Sequence, residues 1–549
     1  MTSLQDALAS LEAGDLGEAE RLSSLALSEP ATRPDALHLL GLTALARGEE
    51  AIALRRMREA VAADPANLDR QLDLGQLELE SGELERAIDT FSELAQKSPD
   101  AAIVQLALGN ALKRAGRYPE AIAAHERAVT AAPDAALCWS DLAGSYLASG
   151  EALAAVAGLQ HAVRLAPEEP ELWYNLGTAE LRAGHADEAR EAFETCLKRA
   201  PEHARAASNL GVALKSCGQA DAALEVQRRA VELAEGDPEA QWNLALTEMS
   251  LGLFEEGWAR YEHRKQLPGY PDLPGQAWDG SAAPETTLVL HAEQGLGDTF
   301  MFLRFVAGAR ARVKRVVLSV PAKLVHVLRD GFTGADQIVA EGDFIAMNAL
   351  HARLPSLPHL LSVGGDFAVE EAYLDVPAAA REHLAERLPS EGLRVGLAWQ
   401  GNPSYRADHE RSIPLSDLEP ALRVPGTQFV SLQKYDGVEQ LKTLPIGLDV
   451  LDLGSSLDES GDAFAETAAA LMGLDLLLTS DSAIAHLAGA LGVDTWLLLA
   501  HAPDFRWGYE GATTPWYPNM RVFRQSERGD WRGVAERVAS ALRERVEDA

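Results

Sequence analysis

Small residues return along the first half of the chain at one fixed step. Gly14, Gly48, Gly82, Gly116, Gly150, Gly184, Gly218 and Gly252 are each 34 residues apart. Two further registers keep that step: Gly41, Gly75, Gly109, Ala143, Gly177, Gly211 and Ala245, and then Ala19, Ala53, Ala87, Ala121, Ala155, Ala189, Ala223 and Gly257. One pair of helices per unit explains all three. The first register turns the chain between the helices, while the residue seven before it and the residue five after it are small where the helices press together. Pro65, Pro99, Pro133, Pro167 and Pro201 fall where a helix must end. The pattern predicts seven complete pairs and the start of an eighth, with an irregular first unit near SEPATRPDA, as expected of a cap.

The period stops after Gly252. LFEEGWARYEHRKQLPGYPDLPGQAWDGSAAPET leads from a helix into a Pro- and Gly-rich stretch, and short apolar runs then alternate with helical ones. TTLVLHAEQ, a helix from Phe300 to Ala311, VKRVVLSV and a helix from Ala322 to Arg329 read as a βαβ unit. LRVGLAWQGNP, QFVSLQK, DVLDLG, DLLLTSDS and DTWLLLA read as a second set of strands, closed by the helix GVAERVASALRERV. Short apolar strands between helices point to buried parallel sheets. The expected organisation is a repeat array over 1–264, a linker over 265–283, and two lobes over 284–388 and 392–549 facing each other across a cleft. Ligands of such sheets sit at the carboxyl ends of the strands.

Charge and cysteine usage narrow the function classes. The chain has 49 Lys and Arg against 83 Asp and Glu, a net charge of −34, which opposes any partner held through a phosphate backbone. Nucleic acid is therefore not an expected partner. Cys138, Cys196 and Cys217 are too few for a disulfide framework or a zinc site and fit a reducing compartment. MTSLQDALASLEAGD lacks the basic, apolar and small-residue order of a signal peptide, and no run of eighteen uncharged apolar residues occurs. A cytoplasmic protein without a membrane span is expected.

Candidate chemistry lies in the strand-to-helix loops. In HAEQGLGDTF, Gly295 and Gly297 allow a sharp turn and close approach to a ligand. Asp298, at the start of the next helix, is either a general base for a hydroxyl nucleophile or a helix cap. In LLLTSDSAIAHLAGALG, Ser480, Asp481 and Ser482 precede a helix whose free N–H groups suit a phosphate, and His486 lies one turn on. The alternative is an ordinary capped core helix. LAWQGNPSYRADHERSIPL carries Trp399, Asn402, Arg406, Arg411 and Ser412; its arginines suit a phosphate or form ion pairs within the protein. The aromatics of APDFRWGYEGATTPWYP either stack on a sugar or base or pack inside. Within the repeats, Asp73, Asp141, Asn175, Asn209 and Asn243 share one position of the first helix. An amide both donates and accepts, so the asparagines either hold a peptide backbone or join neighbouring repeats.

The 34-residue unit resembles the tetratricopeptide repeat across 1–264. That resemblance implies an all-α superhelix whose groove holds an extended peptide or a helix. Its asparagine ladder is similar to the one with which O-linked N-acetylglucosamine transferase grips acceptor protein. EQGLGD, GLAWQGNPSYRADHERSIPL, SDSAIAHLAGALG, APDFRWGY, PWYPNMRVFRQ and FEEGWARYEHR resemble bacterial glycosyltransferases that carry such an array before a heptosyltransferase-like catalytic part. The resemblance implies a two-lobed α/β fold of the GT-B-like, twin Rossmann-type class and an inverting, metal-independent transfer, with no cofactor because the nucleotide-sugar is a substrate. It implies Asp298 as general base and Ser480, Asp481, Ser482 and His486 at the donor phosphate, and the loop reading adds Gly295, Gly297, Asn402 and Arg411 to the expected donor site. Asn175, Asn209 and Asn243 would then hold a protein acceptor. Some members of the group modify flagellin with a sialic-acid-like sugar, which makes flagellin and a cytidine monophosphate donor one expected pair. The chain departs from the heptosyltransferase pattern where Ser482 and Ala483 replace a Thr-Gly pair. Two alternatives remain: an inactive scaffold that binds a partner through its repeats, and a transferase acting on a lipid-linked or polysaccharide sugar.

Overall fold

The structure is a computed structural model that describes residues 2–293, 295–343, 348–365, 371–404, 408–459 and 463–548. Gly14, Gly48, Gly82, Gly116, Gly150, Gly184, Gly218 and Gly252 all have φ between +75° and +90°, the left-handed turn that glycine adopts without a Cβ penalty. Around these turns sixteen helices of the described residues form eight pairs, from Thr2–Glu12 with Leu16–Ala26 to Pro238–Ser250 with Phe254–Tyr261. The eighth pair is complete but its second helix is short and runs on as a 3₁₀ turn, Glu262–Gln266.

The second register is small because a large residue sixteen positions later lies against it. A methyl group on Gly75 would lie 2.5 Å from Phe91 Cε1, on Gly177 2.7 Å from Phe193 Cε1, and on Gly41 2.8 Å from Met57 Cγ. His125 and Gln227 fill the same place above Gly109 and Gly211. Each pair thus clamps itself through one helix-to-helix contact, and Phe91 and Phe193 are wholly buried by it.

The repeat pattern and the compact units do not divide the chain at the same place. One unit runs to residue 206 and the other begins at 207, so the last repeat helices pack with the sheets. Within that second unit the Tyr509 hydroxyl donates to the Lys215 carbonyl at 2.9 Å. Trp258 stands edge-on to Phe302 and Trp516, with ring centroids 6.0 and 6.2 Å apart.

Two parallel sheets follow. The first contains β1 (Gln276–Ala277), β2 (Ala283–His291), β3 (Val313–Val320), β4 (Gln337–Ala340) and β5 (Leu350–Arg353), in the order β1-β5-β2-β3-β4. The expected linker supplies β1. Strand β5 comes from LHAR, whose polar residues hid it in the sequence. The second sheet contains β6 (Leu393–Ala398), β7 (Thr427–Ser431), β8 (Val450–Asp452), β9 (Leu476–Ser480), β10 (Thr495–Leu499) and β11 (Met520–Arg524), in the order β11-β10-β9-β6-β7-β8. Every residue of β9 and β10 is buried, as expected of central parallel strands. Counted from β6, this is the order 3-2-1-4-5-6 of a doubly wound sheet, which reverses between β6 and β9 and opens a crevice there. Trp531–Glu547 closes the chain. No helix of the described residues is long and apolar enough to cross a membrane.

Candidate functional site

The loop after β2 and the loop after β9 meet. The first opens the helix Leu296–Phe302, the second the helix Ala483–Leu491, and these two helices pack on each other. Gly297 permits that approach: a methyl group there would lie 2.9 Å from His486 Cδ2 and 3.2 Å from Ala483 Cα. Asp298 is the third residue of its helix. Its Oδ2 accepts the Gly295 N–H at 3.4 Å, as a helix-capping carboxylate does, while its Oδ1 takes the Arg506 guanidinium. One carboxylate oxygen thus caps the helix and the other is engaged by Arg506, a residue of the second sheet's side of the fold. Burial raises the Asp298 carboxyl above the ordinary aspartate range and Arg506 pulls it part of the way back.

Arg506 also reaches Asp504 Oδ1, at 2.5 Å. Beside this pair, burial and the charge of Asp504 push Asp481 up to about 6, against the pull of Arg506 and Arg411. Ser480 is wholly buried, and its hydroxyl has no hydrogen-bond partner among the described residues. Ser482 precedes the helix in an extended conformation and makes no side-chain cap, so its hydroxyl is not spent on the helix start. Lys215, from the last helix pair but one, is drawn below the ordinary lysine range by burial, with Asp504 opposing.

Two expected donor ligands have other roles. His486 does not stand ready as a cation: its Nδ1 shares a hydrogen bond with the Tyr517 hydroxyl at 3.0 Å and its ring stacks on Trp507 at 5.1 Å. Burial and three nearby arginines hold it neutral. Asn402 is exposed and its Oδ1 accepts the Ser404 N–H at 2.9 Å, closing its own turn. Arg411 Nε donates to Asp408 at 3.1 Å within the third loop, and the Ser412 hydroxyl donates to the same carboxylate at 2.8 Å. Even so, the charge of Arg411 acts on Asp481. Arg406 and Gln294 lie outside the described residues. Trp399, Phe505, Trp507, Trp516 and Tyr517 are buried, so the aromatics of these loops pack rather than present a stacking face.

Three buried arginines around these loops escaped the sequence reading. Arg506 was hidden in a segment noticed for its aromatics. Arg264, in FEEGWARYEHR, is 2% exposed and grips Glu293 of the Asp298 loop at 2.7 and 3.0 Å, with the Ser356 hydroxyl at 3.0 Å. Arg304 bonds the Trp516 carbonyl and reaches the Tyr373 hydroxyl at 3.2 Å, tying the two sheets' elements together. Arg304 stands inside an apolar run and Arg506 between aromatic residues, and a fold buries an arginine only where partners await it.

The ladder positions are mixed. Asp73 pairs with His38 at 2.8 Å and Asp141 accepts from Asn110 at 3.1 Å, while the Asn243 amide donates to Ser208 at 3.1 Å. These are bonds between repeats. Asn175 and Asn209 are half-buried, and among the described residues no hydrogen bond reaches their side chains. Among the described residues no group of three His, Cys, Asp or Glu is placed to hold a metal.

Comparison with known proteins bears on the repeats. Tetratricopeptide repeat models match residues 44–111, 106–170 and 174–238, so the chain carries this repeat. It is 29% identical over 348 residues to Protein FlbA of Caulobacter vibrioides, a match covering 56% of each chain. The match thus spans little more than half the length of that curated relative. Because the repeat helices end at Tyr261 of 549 residues, a match over 56% of this chain includes residues outside them. Among solved structures, MamA is 25% identical with a TM-score of 0.28, covering 30% of this chain and 95% of its own. A tetratricopeptide repeat protein from Parabacteroides merdae is 17% identical with a TM-score of 0.38, covering 45% and 97%.

Proposed function

We propose that the chain is a metal-independent, inverting glycosyltransferase of the GT-B type, moving a sugar from a nucleotide-sugar to a hydroxyl of a protein bound by its repeats. The observation that carries this reading is the meeting of the two loops. Asp298 comes from the first sheet, Ser480, Asp481 and Ser482 from the carboxyl end of β9, and the crevice at the β6/β9 reversal is where a doubly wound sheet takes its ligand. Transfer needs a base for the acceptor hydroxyl, donors for the departing phosphate and fixed reactants. Asp298 supplies the first, and the Ser480 and Ser482 hydroxyls with the crevice arginines supply the second. The half-buried amides of Asn175 and Asn209 support a peptide-backbone grip on the acceptor. Flagellin, with a sialic-acid-like sugar on cytidine monophosphate, is the pair to try first, because some members of the group that the quoted loops resemble modify flagellin.

One observation favours a second reading, an inactive scaffold: the base candidate is already paired with Arg506. A melting panel of the full chain against CMP, UDP, GDP, ADP and dTDP separates the two. A ligand that binds only the folded state stabilises it by about 2.7 kcal/mol at a hundredfold excess over Kd, so one nucleotide is expected to raise Tm by several degrees. No rise with any of the five, together with retained partner binding, identifies a scaffold. Asp298→Asn is expected to cut transfer at least a hundredfold while leaving nucleotide binding in place, and full transfer by that variant removes the base assignment.

A further inference from the structure

The ion pair at the centre of the site is built to be exchanged. The main chain of Arg506 is fixed: its carbonyl accepts the Trp516 indole N–H at 2.7 Å and its N–H donates to Asp504 at 3.1 Å. Phe505 lies under the guanidinium, 4.4 Å from its ring centre. The guanidinium itself is shared between Asp298, from the first sheet's loop, and Asp504, from its own. Its Nε is buried and has no partner among the described residues, and neither has the buried Ser480 hydroxyl at the end of β9. Buried donors are almost always satisfied in a folded protein. Arg506 Nε and the Ser480 hydroxyl thus keep a donor free for the acceptor oxygens of a ligand.

We propose that an anionic phosphoryl group of the donor takes the Arg506 guanidinium from Asp298, so that donor binding itself releases the carboxylate that serves as base. This rests on reading the site as a sugar-transfer centre. A phosphoryl group offers a guanidinium the bidentate geometry it prefers, and the Ser480 hydroxyl gains an acceptor in the same step. Asp298 keeps its hold on the Gly295 N–H through Oδ2, so it stays in position when Oδ1 is freed. A buried carboxylate without its cation is a stronger base. In the transfer the acceptor O–H proton passes to Asp298 Oδ1 and the acceptor oxygen bonds to the anomeric carbon. The bond from that carbon to the phosphate oxygen breaks, and its electron pair leaves on the phosphate, where Arg506 meets the charge. Before the donor arrives Arg506 keeps the base engaged, so an acceptor hydroxyl is not deprotonated in an empty site.

The test is a calorimetric titration of inorganic pyrophosphate into the full chain and its Asp298→Asn and Arg506→Gln variants, each checked for a cooperative melt. Removing the competing carboxylate is expected to tighten pyrophosphate about tenfold in the isosteric Asp298→Asn variant, whereas Arg506→Gln weakens it at least tenfold. A merely structural ion pair gives no tightening, so unchanged or weaker binding by Asp298→Asn overturns the exchange. Pyrophosphate binding by none of the three also overturns it. The nucleotide melting panel then distinguishes the failures: a shift with one nucleotide leaves the sugar-transfer reading standing, and no shift removes both.

Discussion

The repeats and the sheets use the same device, a large ring seated on a glycine, and use it to different ends. In the array the partner lies sixteen residues away on the next helix, as Phe91 does on Gly75 and Phe193 on Gly177. The contact is local and recurs at each turn of the pattern. In the sheet region Tyr517 seats on Gly489, and the Tyr517 hydroxyl in turn holds His486 of the candidate donor loop. Gly297 likewise admits His486 from another sheet's helix. In the array the seated ring packs one helix pair, whereas around the candidate loops the seated ring also holds a candidate site residue.

The largest expected effects come from filling these seats. Gly489→Ala and Gly75→Ala each drive a Cβ into a buried ring, an overpacking that costs about 3 kcal/mol at the upper end of the usual range. Both variants are expected to melt earlier in denaturant. Only Gly489→Ala is expected to weaken nucleotide binding as well, because Tyr517 cannot move without His486. Phe91→Leu added to Gly75→Ala restores much of the stability, which a double-mutant cycle measures. Equal loss of nucleotide binding in both variants would break the comparison.

Titration sharpens the same contrast with opposite signs. Burial pulls His125 down to about 4, and it shares a hydrogen bond with the Ser145 hydroxyl at 2.8 Å. Between pH 6.5 and 4 the unfolded chain binds the proton that folded His125 refuses, so its contribution is full above pH 6.5 and is lost as the pH falls. The loss is about 2 kcal/mol between pH 7 and pH 5. His125→Gln, the residue that the seventh repeat carries at Gln227, is expected to flatten that slope. Asp481, pushed up to about 6, acts in the other direction: the folded site holds the proton more tightly, so stability falls as pH rises from about 4 to 6 and is level above. Hydrogen exchange at pH 5 and 7 resolves the two regions, comparing His125→Gln and Asp481→Asn with the parent.

This difference also explains what the sequence made legible. Periodicity revealed the turn glycines, the small register and the helix pairs because each statement is repeated seven or eight times. Apolar runs revealed β2, β3, β6, β7, β9 and β10 because parallel strands are buried on both faces. The strand-to-helix positions of Asp298 and of the Ser480–Ser482 loop were legible in the sequence. Arg506, Arg264 and Arg304 were not, since their meaning lies in partners hundreds or tens of residues away: Arg506 with Asp298, Arg264 with Glu293, Arg304 with Trp516. The surroundings of His486 were hidden for the matching reason. Its spacing from Ser482 is correct for a ligand, but Trp507 and Tyr517, which bury and neutralise it, arrive from another loop.

The smallest expected effect on stability is at the ladder. Asn243 gives up a hydrogen bond to Ser208 on replacement by alanine, a loss of about 1 kcal/mol for a partly buried pair. Asn175 and Asn209 have no such bond to lose, and alanine is the better helix former by roughly 0.6 kcal/mol. Asn175→Ala and Asn209→Ala are therefore expected to melt at or slightly above the parent. If their amides grip an acceptor backbone, each replacement removes one or two hydrogen bonds to it, worth about 1 kcal/mol, and lowers acceptor affinity roughly fivefold. Calorimetry with purified flagellin measures this, and nucleotide-induced melting shifts, which depend on the residues of the candidate donor loops, are expected to stay unchanged. Weaker acceptor binding at undiminished stability identifies a surface kept for a partner, since an asparagine retained only for packing would show the reverse: a lower melting temperature and an acceptor affinity equal to the parent's.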